Sequence, residues 1–151
     1  MLNTKNTKIR YLLLTAVFLL ILPVKAVPES ESPEVIFIVN RENPETTINP
    51  KDIRDIFLGD KSAWNDGSRI YFSLIRSGPV HNRFLSLYID MSPKNFIRYW
   101  KRQILTGKAT KLKPTNSEEE IVKYVAMNKG AIGYVSSTFP IEDVKKITVL
   151  K

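Results

Sequence analysis

Val35-Ile36-Phe37-Ile38-Val39 is the stretch that most restricts the fold. Five consecutive apolar residues, four of them aliphatic and β-branched, do not alternate as a half-exposed strand does. They read as a strand buried on both faces. Such a strand needs a layer of structure above it and another below, which points to a sheet with helices on both sides.

The rest of the chain supplies those layers. Asn49-Pro50 reads as a helix cap followed by proline at the first helical position, with Ile53, Ile56 and Phe57 on one face and Gly59 as the stop. Asn40 to Asn49 is a polar loop, and Asp60 to Ser68 is a surface turn around Asn65-Asp66-Gly67. Ile70 to Ile75 is a second strand. Three helical segments are then expected without an intervening strand. Pro79 to Asp90 aligns Phe84, Leu87 and Tyr88. The next starts at Ser92 and aligns Phe96, Ile97, Trp100 and Ile104 before Gly107. After a basic loop, Ser117-Glu118-Glu119-Glu120 forms a capping box, and Ile121, Val122 and Val125 make an apolar stripe. Ala131 to Val135 and Ile147 to Leu150 are short strands. The alternation predicts an α/β domain with a mainly parallel sheet flanked by helices.

Ahead of this domain, Met1 to Arg10 is polar and cationic, and Tyr11 to Val24 is almost unbroken hydrocarbon. Val24-Lys25-Ala26 places small residues where a signal peptidase reads. That order is a secretory signal peptide, and the apolar run is shorter than the roughly 20 residues of a membrane-spanning helix. The competing reading is an uncleaved N-terminal anchor. No paired arginine is present, which favours the general secretion pathway, and no cysteine, which excludes a lipoprotein. The expected organisation is residues 1–26 as signal peptide, 27–34 as a flexible leader and 35–151 as the folded domain. The expected location is the periplasm, where a secreted protein without disulfides is common.

Past Ala26, 125 residues remain of 151, enough for one core without staples. The whole chain carries a formal +8, but Lys5, Lys8, Arg10 and Lys25 fall in the signal, so the exported part holds 19 basic and 15 acidic residues, a net of +4. That favours anionic partners. Zero cysteines excludes thiolate catalysis and thiolate metal ligation. No paired carboxylates at catalytic spacing, nucleotide-cradling glycine loop or metal-ligand cluster is evident. The chain reads as a non-enzyme with no cofactor and no metal.

An ordered set of phrases runs through the domain: Ile56-Phe57-Leu58-Gly59, Trp64, Asp66-Gly67, Phe84, Tyr99-Trp100, Thr106-Gly107 and Gly130-Ala131-Ile132-Gly133-Tyr134-Val135. In this the chain resembles the second lobe of type 2 periplasmic binding proteins, specifically the phosphate-binding proteins of ABC transporters, over roughly Val35 to Leu150. The family's usual molecule closes two lobes on an oxyanion. The resemblance here implies one periplasmic-binding-protein-like lobe, with Val35–Val39 and Ile147–Leu150 as neighbouring hinge-side strands. It also implies a phosphate motif after the second strand, where this chain reads Arg76-Ser77-Gly78-Pro79. Proline stands where the family has threonine, and the spacing is shorter. With one lobe the ligand stays solvated on one side, so the implied binding is weak.

Read as residues, Arg76, Ser77 and Gly78 form a candidate oxyanion site. A loop entering a helix presents free N–H groups, glycine lets the backbone approach, serine donates a hydroxyl and arginine adds a forked charged donor. The plainer reading is a helix start capped by serine and water. His81, the one histidine, reads as a surface residue on a first helical turn. Trp100 reads as core and Trp64 as a loop residue closing over the sheet edge.

From Met91 to Ser117 there is no acid. There Lys94, Arg98, Lys101 and Arg102 form a helical face opposite Phe96, Ile97 and Trp100, followed by Lys108, Lys111 and Lys113. That face suits a polyanion or an acidic protein partner, or is a solvated surface. Nucleic acid is excluded by the expected location. Two functions follow. The first is a solute-binding-like protein for a small oxyanion of the phosphate class. The second is an envelope interaction or sensory module that has lost transport and docks a protein, a polyanion or another copy of itself.

Overall fold

A computed structural model of the chain describes residues 32–107 and 112–150. The expected signal peptide, most of the expected leader and the basic-loop residues Lys108 and Lys111 lie outside the described residues.

Among the described residues six strands form one sheet and four α-helices cover it. In chain order they are β1 (Val35–Asn40), β2 (Thr47–Ile48), α1 (Pro50–Leu58), β3 (Tyr71–Ile75), α2 (Pro79–Phe84), α3 (Pro93–Leu105), β4 (Leu112–Thr115), α4 (Glu118–Met127), β5 (Ala131–Ser136) and β6 (Val144–Val149). The strand order is β2-β6-β1-β5-β3-β4. Three ladders are parallel, β2 with β6, β3 with β4 and β3 with β5. The central strand β1 runs antiparallel to both its neighbours, β5 and β6. The two strands expected to be adjacent are so, with Phe37 opposite Ile147.

All six residues of β1 are buried, as an unbroken apolar run requires. One face of the sheet meets an aromatic layer. Phe84 stacks on Tyr134 at 4.0 Å, Phe57 lies 4.9 Å from Phe84, and Phe37 meets Tyr88 edge-on at 4.8 Å. On the other face α4 lies so close that a Cβ on Gly133 would stand 2.4 Å from Ile121 Cγ2. Side chains alternate along β5, so the small residue serves the near helix and Tyr134 the aromatic layer.

The caps are local and match their residues. Asn49 Oδ1 accepts from Asp52 N at 2.7 Å, and Gly59 ends α1 at φ +83° with its N–H on Ile56 O. Ser117 Oγ accepts from Glu120 N at 3.2 Å. Glu120 reaches back one residue further than a regular capping box, to the N–H of Asn116 at 3.0 Å.

The structure corrects five local expectations. The stretch after the basic loop is not all loop, since Leu112–Thr115 pairs in parallel with β3 and separates α3 from α4. Pro114 hides this strand from a propensity reading, and proline is tolerated there because β4 is the sheet's last strand. Thr47–Ile48, inside the expected polar loop, adds a short edge strand on β6. The helix from Pro79 is α-helical only to Phe84 and continues as a π-helical turn over Leu85–Ile89, ended by Asp90 in the left-handed region. Within that turn Leu87 faces outward and is half exposed, because the wider turn rotates it off the stripe. On α3 only Phe96 and Trp100 reach the core; Ile97 and Ile104 are 48% and 59% exposed.

Candidate functional site

β3 delivers Arg76 to the edge where the parallel strands β3, β4 and β5 end. There Arg76 N donates to Thr115 O at 3.1 Å, and Thr115 Oγ1 donates to Leu74 O at 3.1 Å. Ser77 and Gly78 then turn the chain into α2. Gly78 has φ +125°, a conformation that favours glycine, and nothing stands within 4 Å of where its Cβ would be. The space in front of the turn is therefore open to solvent.

Gly78 brings no side-chain cap to α2. Pro79 has no N–H, and Asn82 N is the first to find a carbonyl, that of Gly78 at 3.0 Å. The N–H groups of Val80 and His81 thus lack intrahelical acceptors. The other three helices have their first turns bonded by Asn49, Ser92 and Ser117.

A carboxylate borders this opening. Pro79 and Val80 share a shallow hollow of about 310 Å³ with Glu118, Ser136 and Thr138. Glu118 Oε2 accepts from Ser136 N at 2.5 Å, so one backbone donor at this edge is already taken.

Arg76 lines a different space, a cleft of about 300 Å³ between α3 and β4 that it shares with Lys101. Of the basic face of α3, Lys94, Arg98 and Lys101 border a shallow groove together with Ile97, and Arg102 lies outside it near the helix end. Ile97 belongs to this groove and not to the face opposite it.

His81 is not a surface residue: 2% of it is exposed. Its Nδ1 lies 2.6 Å from Tyr134 Oη, and its ring packs against Phe84, Phe96 and Tyr134. The first turn of α2 faces the sheet, so Val80, His81 and Phe84 all point inward. The i, i+4 pair Val80 and Phe84 was the available signal, and His81 beside Val80 follows it in. Burial lowers the pKa of His81 to about 4 and raises that of the Tyr134 phenol well above its usual range. At neutral pH both are uncharged and satisfy each other. Trp64 behaves as expected for a closing loop residue: it is buried, and Nε1 donates to Gly130 O at 3.0 Å. Among the described residues no three metal-ligating side chains come together, and no helix is long and apolar enough to cross a membrane.

This architecture is that of one lobe of a periplasmic-binding-protein-like fold. The similar solved structures include an ABC-type phosphate transport receptor from Vibrio cholerae, with TM-score 0.61 and 20% identity over 78% of this chain and 46% of that one. PstS from Borrelia burgdorferi superposes with TM-score 0.57 and 17% identity, over 78% of this chain and 47% of its own. The chain thus spans less than half the length of these proteins. No protein-family model and no curated protein matches it.

Proposed function

We propose that this is an exported, periplasmic, single-lobe solute-binding-like protein. It is not an enzyme, and it holds a small oxyanion of the phosphate class weakly. The observation that carries this reading is the uncapped start of α2, where the N–H groups of Val80 and His81 lack helical acceptors and follow directly on Arg76, Ser77 and Gly78 at the edge on which three parallel strands end. It stands in a fold shared with phosphate transport receptors. Glu118 beside the opening and the single-sided geometry both argue for low affinity.

Titration calorimetry and thermal shift with phosphate and sulfate test this. Binding in the millimolar to high micromolar range is expected, and Arg76→Ala removes a charge-assisted donor pair, costing roughly ten- to hundredfold in affinity. Arg102→Ala leaves the small ion unaffected. No heat and no shift at millimolar anion would sink the oxyanion reading.

Export has its own expected result. Intact-mass analysis of a periplasmic extract should find the chain starting at Val27. Retention of Met1 would instead mean a membrane anchor.

The docking reading draws on a separate observation, the groove of Lys94, Arg98 and Lys101 around half-exposed Ile97. Polyanion binding there falls steeply with added salt and depends on these lysines and this arginine, whereas the small-ion site does not.

A further inference from the structure

The cleft between α3 and β4 has the composition of a ligand site. α3 lies across the end of the sheet, and Trp100 packs on Phe72 with ring centroids 5.5 Å apart. Beyond Trp100 the sheet stops, because β4 is the last strand and only four residues long. The apolar stripe of α3 therefore continues past the edge it was to cover. Leu74, Trp100, Ile104, Leu112 and Pro114 wall a cleft of about 300 Å³, at the lower end of volumes that hold small molecules.

Charge defines what fits. The ionised side chains that line the cleft are Arg76 and Lys101; no carboxylate is among its lining residues. His81, which also lines it, is neutral at ordinary pH. An apolar wall with two cations and no acid matches a molecule with a hydrocarbon body and one anionic head. The geometry points to a second binding site here, for a single-chain anionic amphiphile, with its chain on Trp100, Ile104 and Leu112 and its head on Arg76 and Lys101. The cleft is a different space from the start of α2, because Ser77 and Gly78 do not line it, although Arg76 is common to both.

The two tryptophans make the test direct. In a ¹⁵N correlation spectrum of the purified protein, the indole N–H of Trp64 is tied to Gly130 O and serves as the control, while that of Trp100 reports on the cleft. Octanoate, octanol and inorganic phosphate are the probes. Octanoate should shift the Trp100 signal and leave Trp64 in place, and octanol should bind at least tenfold more weakly. Lys101→Glu should weaken octanoate at least tenfold without changing octanol. Ile104→Asp, at an exposed position, should weaken both, with an unmoved Trp64 signal showing that the fold is intact. Three outcomes overturn the site: a Trp100 signal unmoved by millimolar octanoate, equal binding of octanoate and octanol, or a Trp100 shift produced by phosphate alone. The first two leave the oxyanion reading standing, and the third assigns the cleft's charges to it.

Discussion

Gly130→Ala should destabilise the protein by about 3 kcal/mol, near the upper end for overpacking, with a fall in Tm on the order of 10 °C. A Cβ at Gly130 would stand 2.1 Å from the backbone oxygen of Arg69 and 3.3 Å from its carbonyl carbon. A side chain could rotate away from such a contact, but a carbonyl can move only with its backbone. That backbone leads directly into β3 and is not free to move. Tyr71 N donates to Gly130 O at 3.1 Å, and the same oxygen takes Trp64 Nε1 at 3.0 Å. One methyl group therefore strains the start of the β3–β5 ladder and the loop closed by Trp64 together. Urea unfolding of the variant checks this. A midpoint within experimental error of the parent would show that the two strands can part at no cost.

The second large effect is on acid stability. The folded pKa of His81 lies at about 4, below the ordinary 6.5, because burial penalises the imidazolium. The unfolded chain then binds a proton at a higher pH than the folded one. Stability from this group is complete above about 6.5 and drains away as pH falls towards 4, by roughly 3 kcal/mol in all. Protonation also converts Nδ1, if it was accepting from Tyr134 Oη at 2.6 Å, into a donor that faces a phenol within a ring cluster. Unfolding free energies at pH 7.5 and 4.5 should differ by most of that amount beyond what the carboxylates contribute. His81→Gln should flatten the difference while lowering stability at both pH values. An unchanged pH slope in the variant would place the acid sensitivity elsewhere.

Local signals were the legible ones. Asn49-Pro50, Ser117 and Gly59 act over three or four residues, so caps and stops can be read from neighbours in the chain. The unbroken apolar run at Val35–Val39 likewise demanded burial on both faces wherever its partners lay. What could not be read depended on distant partners. Leu112–Thr115 is a strand because β3 lies beside it, against the evidence of Pro114. Ile97 and Ile104 have the spacing of core residues, yet the sheet ends before it reaches them. His81 looked like a surface residue by type, and its burial rests on a phenol 53 positions away. At the candidate site, the order Arg76-Ser77-Gly78 was visible. The separation of Arg76 into the α3 cleft, and the presence of Glu118 beside the helix start, needed the folded chain.

The antiparallel placement of β1 has a kinetic consequence. Val39 pairs with Ile132 and Phe37 with Ile147, so the first strand of the domain finds both its neighbours only among the last. Contacts of such long sequence separation are slow to form, because a long loop must close before any of them is gained. The strand β1 stays unpaired until β5 and β6 are available to it. The aromatic layer seated on Phe37 and Tyr134 has to wait with it. A chain built in this order keeps this apolar strand without a partner until β5 and β6 are made. The length of that unpaired interval is set by topology, whatever the stability of the finished fold.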